Sequence, residues 1–471
     1  MTKKKFVIED FTVPEPSADK DYCYNFNAGK TLDNCLGIKE AKFKYGNTNK
    51  SMTTPTFVNK MLGLSFFSTY VPASKTTAHR ITLYGDDTKF YMHQMFSGTY
   101  MFLNLYQLKF DNVPVCLSYR YNDQDATIIA SADKMVVWKQ NVTPYALEDA
   151  PIVTSMCVNE GILFATLLAP AYKIWYNKDL NLENIGKESK ISGYISLDDD
   201  YGYARKVVSF DEHVYIFRDY GISKISIYKD EIVVSEVYKS NTRMLSNTIS
   251  VCGNVILFTN AEGVYTFDGV RVQKSKLAIN KIVASLDNAV ATSLGETYYL
   301  ALKANFNDNK TIFCEEDECL NNALVIINAN TFTYQIIRGV DILNFLSLKA
   351  ENMEKVLVIY NTGFVRTIGE VVKESYYYNN VLPKYWRKKD VFEDNASKLI
   401  TKLTVYCDEN ITFTLTADDV PITFVSKNSG LNEFYFKRQC NKLQLEISSN
   451  QASSRVERIE IDYYDCWHTI A

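Results

Sequence analysis

Three aspartates, Asp198 to Asp200, precede Gly202 and form the most acidic short run that could do chemistry. Closely spaced carboxylates before a glycine are typical of the start of a calcium-binding loop, whose oxygen ligands surround the ion. Such a loop needs a bidentate glutamate at its twelfth position, where this chain has Ser209. The run is therefore predicted to be a solvated turn, and no metal ligand is assigned.

Paired carboxylates could alternatively hydrolyse a glycosidic bond, if an acid and a second carboxylate flank it. Asp199 and Glu212 are the residues that could serve in such a site, but the sequence alone does not bring them together. We expect Asp198, Asp199, Asp200 and Glu212 to be turn and surface residues. We also expect that the chain is not an enzyme and has no catalytic or cofactor-binding residues.

Histidines and cysteines also fail to form a recognisable site. The histidines, predicted to lie in separate repeats and at the C-terminal end, are His79, His93, His213 and His468. They contain no pair at metal-ligand spacing, and no GxSxG, Walker or GxGxxG sequence is present. The ten cysteines lie mostly inside apolar runs and are predicted to be buried, reduced thiols.

The exception is the segment CEEDEC, in which Cys314 and Cys319 flank four acidic residues. Two thiolates beside acids could hold a metal ion, but a second ligand pair and a nearby histidine are missing. A solvated acidic loop is favoured, with a disulfide forming after cell lysis. Free, bridged and metal-bound thiols stay open as alternatives.

Composition limits the classes of protein that fit. The chain has 471 residues, 46% of them hydrophobic and 13% aromatic, with a formal net charge of −4. Length predicts several domains or a repeat architecture, and aromatic content favours β-structure. Because no basic stripe is present, binding to nucleic acid through phosphates is not expected. No secretory signal or membrane span is recognised, so we expect a soluble protein made in a cytoplasm.

One figure, an apolar strand followed by a polar turn and a second strand, recurs seven times. The recurrences begin at Ile81, Thr127, Ile162, His213, Asn254, Thr297 and Lys355. Repeats of about 40 residues that contain several strands are typical of β-propeller blades, which cover one another's faces by stacking. We therefore predict an all-β protein with a propeller of about seven blades, although six or eight also fit.

Glycine occupies the same place in three of the recurrences, at Gly221, Gly263 and Gly363. A hairpin turn needs a residue at positive φ, and glycine adopts that conformation without steric cost. The three glycines are therefore predicted to be turn residues at positive φ.

The segments before and after the repeats have a different residue pattern. The predicted divisions are an extended N-terminal arm and first strand at 1–78, the propeller at 79–372, an aromatic and basic connector at 373–397, and a C-terminal β-sandwich at 398–471. The sandwich is predicted from six short, evenly spaced strand-like segments that begin at Lys398.

Tyrosine-rich stretches outside the repeats are candidate interfaces, because tyrosine offers a large contact area and a polar tip. The interface candidates are Tyr22, Tyr24, Phe26, Tyr376, Tyr377, Tyr378, Tyr385 and Trp386. The alternative is that these rings are core residues beneath the C-terminal sandwich. The two interpretations predict opposite exposure for the same side chains.

Several phrases resemble the β-propeller proteins of tailed-bacteriophage virions. In the stretch from Cys23 to Phe43, a polar arm leads to Gly37, Ile38, Lys39 and Glu40. The connector phrase that opens the C-terminal sandwich contains Trp386, Lys388, Lys389, Phe392 and Lys398. The closing strand VERIEIDYYD and the phrase GVYTFDG fit the same group.

The resemblance implies a non-enzymatic structural part of a tail or neck, such as a nozzle or hub. It implies docking in multiple copies, with other tail or neck proteins and copies of itself in a symmetric ring, and localisation in the virion. No long Gly- or Ser-rich loop is evident, which leaves the position in the particle open. The alternatives are a cytoplasmic propeller scaffold that binds peptides and, third, a propeller glycosidase.

Overall fold

The structure is a computed structural model of the chain, and it describes most of residues 2–466. Between residues 39 and 109 it describes the backbone of the strands alone. The positions inside 2–466 that it does not describe are 18, 41–42, 45–50, 53–60, 72–75, 86–88, 97–98, 110–113, 122–123, 131–133, 140–144, 148–149, 181–190, 229–230, 276, 278, 307–317, 351–352, 362–364, 370–381, 393 and 395.

Regular structure in the described residues is β, apart from one 3-10 turn at Ser246–Thr248. Within the same residues, no helix is long and apolar enough to cross a membrane. The N-terminal strands are short: β1 (Lys3–Ile8), β2 (Tyr22–Tyr24), β3 (Phe26–Ala28), β4 (Leu32–Asn34), β5 (Gly37–Glu40), β6 (Phe43–Lys44) and β7 (Ser51–Met52). Strands β6 and β7 pair only with each other.

Small antiparallel sheets, each built from strands that are consecutive in the chain, follow this N-terminal part. Sheet 1 contains β8 (Met61–Val71), β9 (Thr76–Gly85), β10 (Lys89–Phe96) and β11 (Thr99–Lys109). Sheet 2 contains β12 (Val115–Tyr121), β13 (Gln124–Ala130), β14 (Met135–Lys139) and β15 (Tyr145–Leu147). Sheet 3 contains β16 (Val153–Asn159), β17 (Ile162–Leu167), β18 (Lys173–Asn177) and β19 (Ser192–Ser196).

The next sheets repeat the same order. Sheet 4 contains β20 (Ala204–Phe210), β21 (His213–Arg218), β22 (Gly221–Tyr228) and β23 (Glu231–Lys239). Sheet 5 contains β24 (Ser250–Cys252), β25 (Val255–Asn260), β26 (Gly263–Phe267) and β27 (Val272–Lys274). Sheet 6 contains β28 (Val283–Leu294), β29 (Thr297–Ala304), β30 (Ala323–Asn328) and β31 (Tyr334–Arg338).

Sheet 7 departs from this order because its fourth strand comes from the N-terminal part of the chain. Its consecutive strands are β32 (Ile342–Ala350), β33 (Met353–Tyr360) and β34 (Val365–Gly369). Strand β5 completes the sheet, with Ile38 opposite Ile368 and Lys39 opposite Thr367. The Gly-apolar-Lys-acid phrase at Gly37–Glu40 therefore forms an edge strand.

Six of the seven recurrences found in the sequence correspond to the second and third strands of a four-stranded sheet. The recurrence at Thr297 corresponds to a second strand, β29, and the third strand, β30, begins only after the CEEDEC segment. The strand pairs predicted at the other six are confirmed. Many small four-stranded sheets in an all-β chain make a β-propeller-like architecture. The predicted start at residue 79 was too late, because sheet 1 begins at Met61.

The second strands of these sheets are apolar on both faces because a neighbouring sheet covers each face. In β29, Tyr298, Leu300 and Leu302 pack in the core shared with sheet 5. Tyr299 and Ala301 point to the opposite side and pack in the core shared with sheet 7. Since successive side chains of a strand alternate between faces, such a strand reads as a continuous apolar run.

One of the glycine predictions needs a correction. Gly263 has a positive φ of 132°, as predicted, whereas Gly221 is not among the residues with positive φ. A Cβ atom at Gly221 would lie 1.8 Å from the Tyr201 ring. Gly221 is thus required by a close approach rather than by its backbone conformation. Gly363 lies outside the described residues.

Two larger sheets follow the repeats. Their strands are β35 (Lys384–Lys388), β36 (Lys398–Cys407), β37 (Thr412–Ala417), β38 (Val420–Val425), β39 (Gly430–Cys440), β40 (Leu443–Ser449) and β41 (Val456–Asp465). One sheet has the order β3-β4-β41-β36-β39, with β1 also on β41, and the other has the order β2-β35-β40-β37-β38. The six strands predicted from Lys398 onward are confirmed, and the connector contributes a strand of its own, β35.

The predicted extended arm is wrong for the described part of residues 2–40. Strand β1 pairs with β41, and the side chains of the three N-terminal lysines form ion pairs with acids of that strand. Lys3 lies 2.8 Å from Asp462, and Lys5 lies 2.7 Å from Glu460. Strands β2, β3 and β4 join the two C-terminal sheets, and β5 joins sheet 7. We call residues 2–36 the N-terminal clasp.

Candidate functional site

The tyrosines proposed as interface residues are buried inside the chain. Tyr22, Tyr24 and Tyr385 are at most 2% exposed. Their rings pack together, with the Tyr385 centroid 5.2 Å from Tyr22 and 5.5 Å from Tyr24. The prediction that these rings contact another molecule is therefore wrong. They join the clasp and β35 to the core that also contains sheet 6.

The remaining interface candidates are also core residues where the structure describes them. Phe26 and Trp386 are buried between the two C-terminal sheets. The Trp386 indole N–H donates a hydrogen bond of 2.8 Å to the Phe11 carbonyl, and the two rings lie edge to face. Tyr376, Tyr377 and Tyr378 lie outside the described residues. Core packing beneath the C-terminal sheets, the alternative interpretation, thus holds for the described candidates.

Asp199, in the acidic run, forms an ion pair with a buried arginine. The Arg218 side chain is fully buried, and its guanidinium donates to Asp199 at 2.6 Å. The same guanidinium donates to the Gly202 carbonyl at 2.8 Å and to the Leu197 carbonyl at 3.2 Å. Asp199 neutralises a buried cation, so the prediction of a simple turn and surface residue needs correction.

The other three acids fit the prediction. Asp198 accepts a hydrogen bond from Ser196 and is exposed. Asp200 is exposed and pairs with Lys239. Glu212 lies with positive φ in the turn between β20 and β21 and is exposed as well.

A second carboxylate, Asp219, organises the loops beside Asp199. It accepts bonds from Arg205 at 2.9 and 3.1 Å and from Arg243 at 2.9 Å. The Tyr203 backbone N–H also donates to it. Burial alone would raise the pKa of the Asp219 carboxyl, but the two guanidinium groups hold that pKa below its usual value. Asp219 therefore stays ionised and ties together three segments of the chain.

These loops lie at one end of sheets 3 and 4. In a sheet of consecutive antiparallel strands, the turn after the second strand and the connection after the fourth lie at the same end. Backbone hydrogen bonds join them here, from Leu197 to Tyr172, from Ala204 to Ala171 and from Asp219 to Tyr203. The loops thus form one continuous surface held together by backbone hydrogen bonds.

Exposed aromatic and apolar side chains cover this surface. We define the tyrosine face as Leu168, Tyr172, Tyr194, Tyr203 and Tyr220, all of which are exposed. Lys173 lies over the rings of both Tyr172 and Tyr194, at 5.9 and 5.8 Å. The Arg205 guanidinium lies 5.3 Å from the Tyr203 ring centroid. Exposed aromatic surface combined with cations is typical of a protein-docking surface.

The sequence reasoning missed these residues because tyrosine spacing does not distinguish exposed rings from buried ones. Exposed Tyr203 stands two positions from Tyr201, just as buried Tyr24 stands two positions from Tyr22. Adjacent tyrosines do not indicate an exposed surface, since Tyr298 and Tyr299 are both buried. A usable signal was the phrase DDDYGYARK, in which Tyr203 follows the glycine of a loop. Rings in loops are more often exposed than rings inside repeating strands.

The described residues provide no further candidates for a metal site or a reactive thiol. In the described part of the chain, no three His, Cys, Asp or Glu side chains gather at a possible metal site. Seven of the nine described cysteines are buried, Cys319 among them. Residues 311–317, and with them Cys314, lie outside the described residues. His79 and His93 fall on adjacent strands of sheet 1 rather than in separate repeats.

Comparison with known proteins identifies no family. No family model matches the chain, and no curated protein matches it. Among solved structures, the chain is similar to the extracellular domain of a putative hybrid two-component system from B. thetaiotaomicron, with 10% identity and a TM-score of 0.44. The similarity covers 89% of this chain and 59% of that one, so the chain spans less than two thirds of that structure's length.

Proposed function

We propose that the chain is a non-enzymatic structural protein of a tailed-phage virion, built as a seven-bladed β-propeller with a C-terminal β-sandwich. The virion assignment rests on the resemblance of the Gly37–Glu40, connector and closing-strand phrases. The observation that carries a docking role is the tyrosine face. Its rings stay exposed although the same chain buries Tyr22, Tyr24 and Tyr385 completely.

Contacts between the sheets support a closed ring of seven blades. Strand β8 of sheet 1 packs against β12 of sheet 2 and against β32 of sheet 7. Apolar cores are shared by sheets 2 and 3, 3 and 4, 4 and 5, 5 and 6, and 6 and 7. With β5 as the last strand of sheet 7, the N-terminal part of the chain fastens the ring, which leaves few free sheet edges.

A shared core supports the C-terminal sandwich. Ile400 and Leu403 from one sheet pack with Phe413, Leu445 and Ile447 from the other. Each sheet thereby buries one face against its partner, as in a β-sandwich. The N-terminal clasp adds strands to both sheets and also contacts the last strand of sheet 6, so it links the sandwich to the propeller.

The state of the carboxylates favours a structural role over glycoside hydrolysis. A glycosidase needs one carboxyl that can donate a proton and another that is free to attack or to activate water. Asp199, the first residue considered for that role, is committed to the buried Arg218. Glu212, the second, lies in the turn between β20 and β21, at the opposite end of sheet 4 from Asp199.

The docking proposal is tested by replacing Tyr203 and Tyr220 with serine in a host that produces the particles. Their side chains are 52% and 41% exposed, so the change should leave the folded state intact. The expected result is a folded protein that no longer enters particles, because the interface loses its aromatic anchors. Tyr228→Ser is the matched control, since this exposed tyrosine lies at the other end of β22. Normal incorporation of the double variant would contradict the proposal.

A further inference from the structure

A polar cavity opens beside the tyrosine face. Its volume is about 380 Å³, within the usual range for sites that hold small ligands. The first residues of β12, β16 and β20 contribute to its wall, together with the end of β17 and the 3-10 turn. The described lining residues are Val115, Thr154, Ser155, Leu167, Leu168, Ala204, Arg205, Lys206, Ser246 and Asn247.

The charge of the cavity wall is unbalanced among the lining residues that the structure describes. Lys206 donates one hydrogen bond of 2.6 Å to the Ile249 carbonyl, whereas an ammonium group has three donors. None of the described lining residues is acidic. The other cation, Arg205, is already matched by Asp219 through two hydrogen bonds. One positive charge in the wall, that of Lys206, therefore has only a backbone carbonyl as its described partner.

The environment of Lys206 makes this imbalance costly. Burial lowers the pKa of its ammonium from the usual value to about 8, so the group is still charged at neutral pH. A negatively charged ligand would compensate for the lost hydration. The hydroxyls of Thr154 and Ser246 and the amide of Asn247 add neutral hydrogen-bonding groups. The side chains of Val115, Leu167 and Leu168 supply an apolar wall.

We propose that this cavity binds a carboxylate carried on a short apolar chain. The carboxylate pairs with the Lys206 ammonium, and the apolar chain lies along Val115, Leu167 and Leu168. One carboxylate matches the Lys206 ammonium, which has no acidic partner among the described lining residues. Such a group could belong to a free carboxylic acid or to a glutamate flanked by leucines in a partner protein. This inference goes beyond the docking role and does not depend on it.

Calorimetric titration of the full chain with hexanoate tests the proposal, and hexanamide serves as the uncharged analogue of the same shape. Hexanoate should bind at least about tenfold more tightly than hexanamide, since a hydrogen bond to a charged group contributes more than a neutral one. Lys206→Met should remove that preference. Lys173→Met, which removes a cation at the same end of the sheets but outside the cavity wall, should keep it.

Equal binding of hexanoate and hexanamide, or no binding of either, would overturn the proposal, and so would an undiminished preference in Lys206→Met. If Lys206→Met does not fold, the comparison of hexanoate with hexanamide on the unaltered chain still tests the proposal. A peptide with the sequence leucine-glutamate-leucine, blocked at both ends, separates the two sources. Binding at least tenfold tighter than hexanoate assigns the site to a partner protein, and equal or weaker binding assigns it to a free acid.

Discussion

Asn25 and Arg338 are joined by two hydrogen bonds that run in opposite directions between distant parts of the chain. The Asn25 side-chain oxygen accepts from the Arg338 backbone N–H at 2.9 Å, and its amide nitrogen donates to the Arg338 carbonyl at 3.3 Å. The same nitrogen donates to the Pro383 carbonyl at 2.7 Å. One side chain of the N-terminal clasp therefore binds both the last strand of sheet 6 and the segment before β35.

Replacing Asn25 should test this link. Asn25→Ala removes three hydrogen bonds, two of them buried, and leaves backbone groups without partners, which should cost about 2–4 kcal/mol of unfolding free energy. Asn25→Gly should cost about 1 kcal/mol less, because Asn25 has a φ of 59° that glycine adopts without strain. Urea unfolding of the two variants measures both values. Losses below about 1 kcal/mol in both would contradict the assigned role.

Deleting residues 2–36 should prevent stable folding rather than release a free arm. The deletion removes buried rings such as Phe11, Tyr24 and Phe26 from two cores. Each such loss costs about 3–5 kcal/mol, so the three rings together cost about 9–15 kcal/mol, which is as large as the usual margin of stability, about 5–15 kcal/mol. Limited proteolysis and circular dichroism measure the outcome. Lys281→Gln, which breaks only the exposed pair with Glu15, is the control. A truncated chain that is as protease-resistant as the full chain would refute the clasp.

Asp199→Asn should destabilise the protein although Asp199 lies at the surface. The change leaves the buried Arg218 guanidinium without its counter-charge, at an expected cost of about 1–3 kcal/mol. The neighbouring Asp200→Asn should cost less than about 0.5 kcal/mol, since its pair with Lys239 is exposed. Chemical unfolding of the two variants under identical conditions gives the comparison. Equal stability of both would show that Arg218 does not need Asp199.

Buried thiols should make stability fall as the pH rises above about 9. Burial raises the pKa of Cys157 and of Cys252 to about 12, whereas an unfolded thiol ionises near pH 8.5. Between these values the unfolded chain binds fewer protons than the folded chain, so the free energy of unfolding decreases with pH. Cys157→Ala should make this decrease shallower between pH 9 and 11. An unchanged slope in the variant would contradict a buried, protonated Cys157.

Sequence patterns predicted the strands well because their two signals, a continuous apolar run and an alternation of apolar and polar residues, are both local. Strands β29 and β41 could be recognised from their apolar and alternating residues, with neither needing a distant partner to be identified. The pairing of β5 with β34 could not be derived in this way, since it joins residues more than 300 positions apart. Short strands such as β2 contain too few residues for a periodic signal. The N-terminal clasp was therefore predicted to be an extended arm.

The functional residues were harder to predict than the fold. Closely spaced tyrosines identified Tyr22 and Tyr24 by type, but burial is decided by the partner surface, which for Tyr24 includes Arg338 and Phe306. The tyrosine face depends on which loops meet at one end of sheets 3 and 4. Likewise, Asp199 could be recognised as a turn residue, yet its partner Arg218 follows only from the fold.

The central claim, a structural role in a virion, is tested most directly by measuring the copy number of this chain in purified particles. Particles from a culture that produces the chain are separated on a density gradient, and the chain is quantified by mass spectrometry against the major capsid protein. A structural role in the virion predicts that the chain co-sediments with the particles at a fixed, small number of copies that fits a symmetric ring. Recovery of the chain only in the particle-free fraction would contradict it.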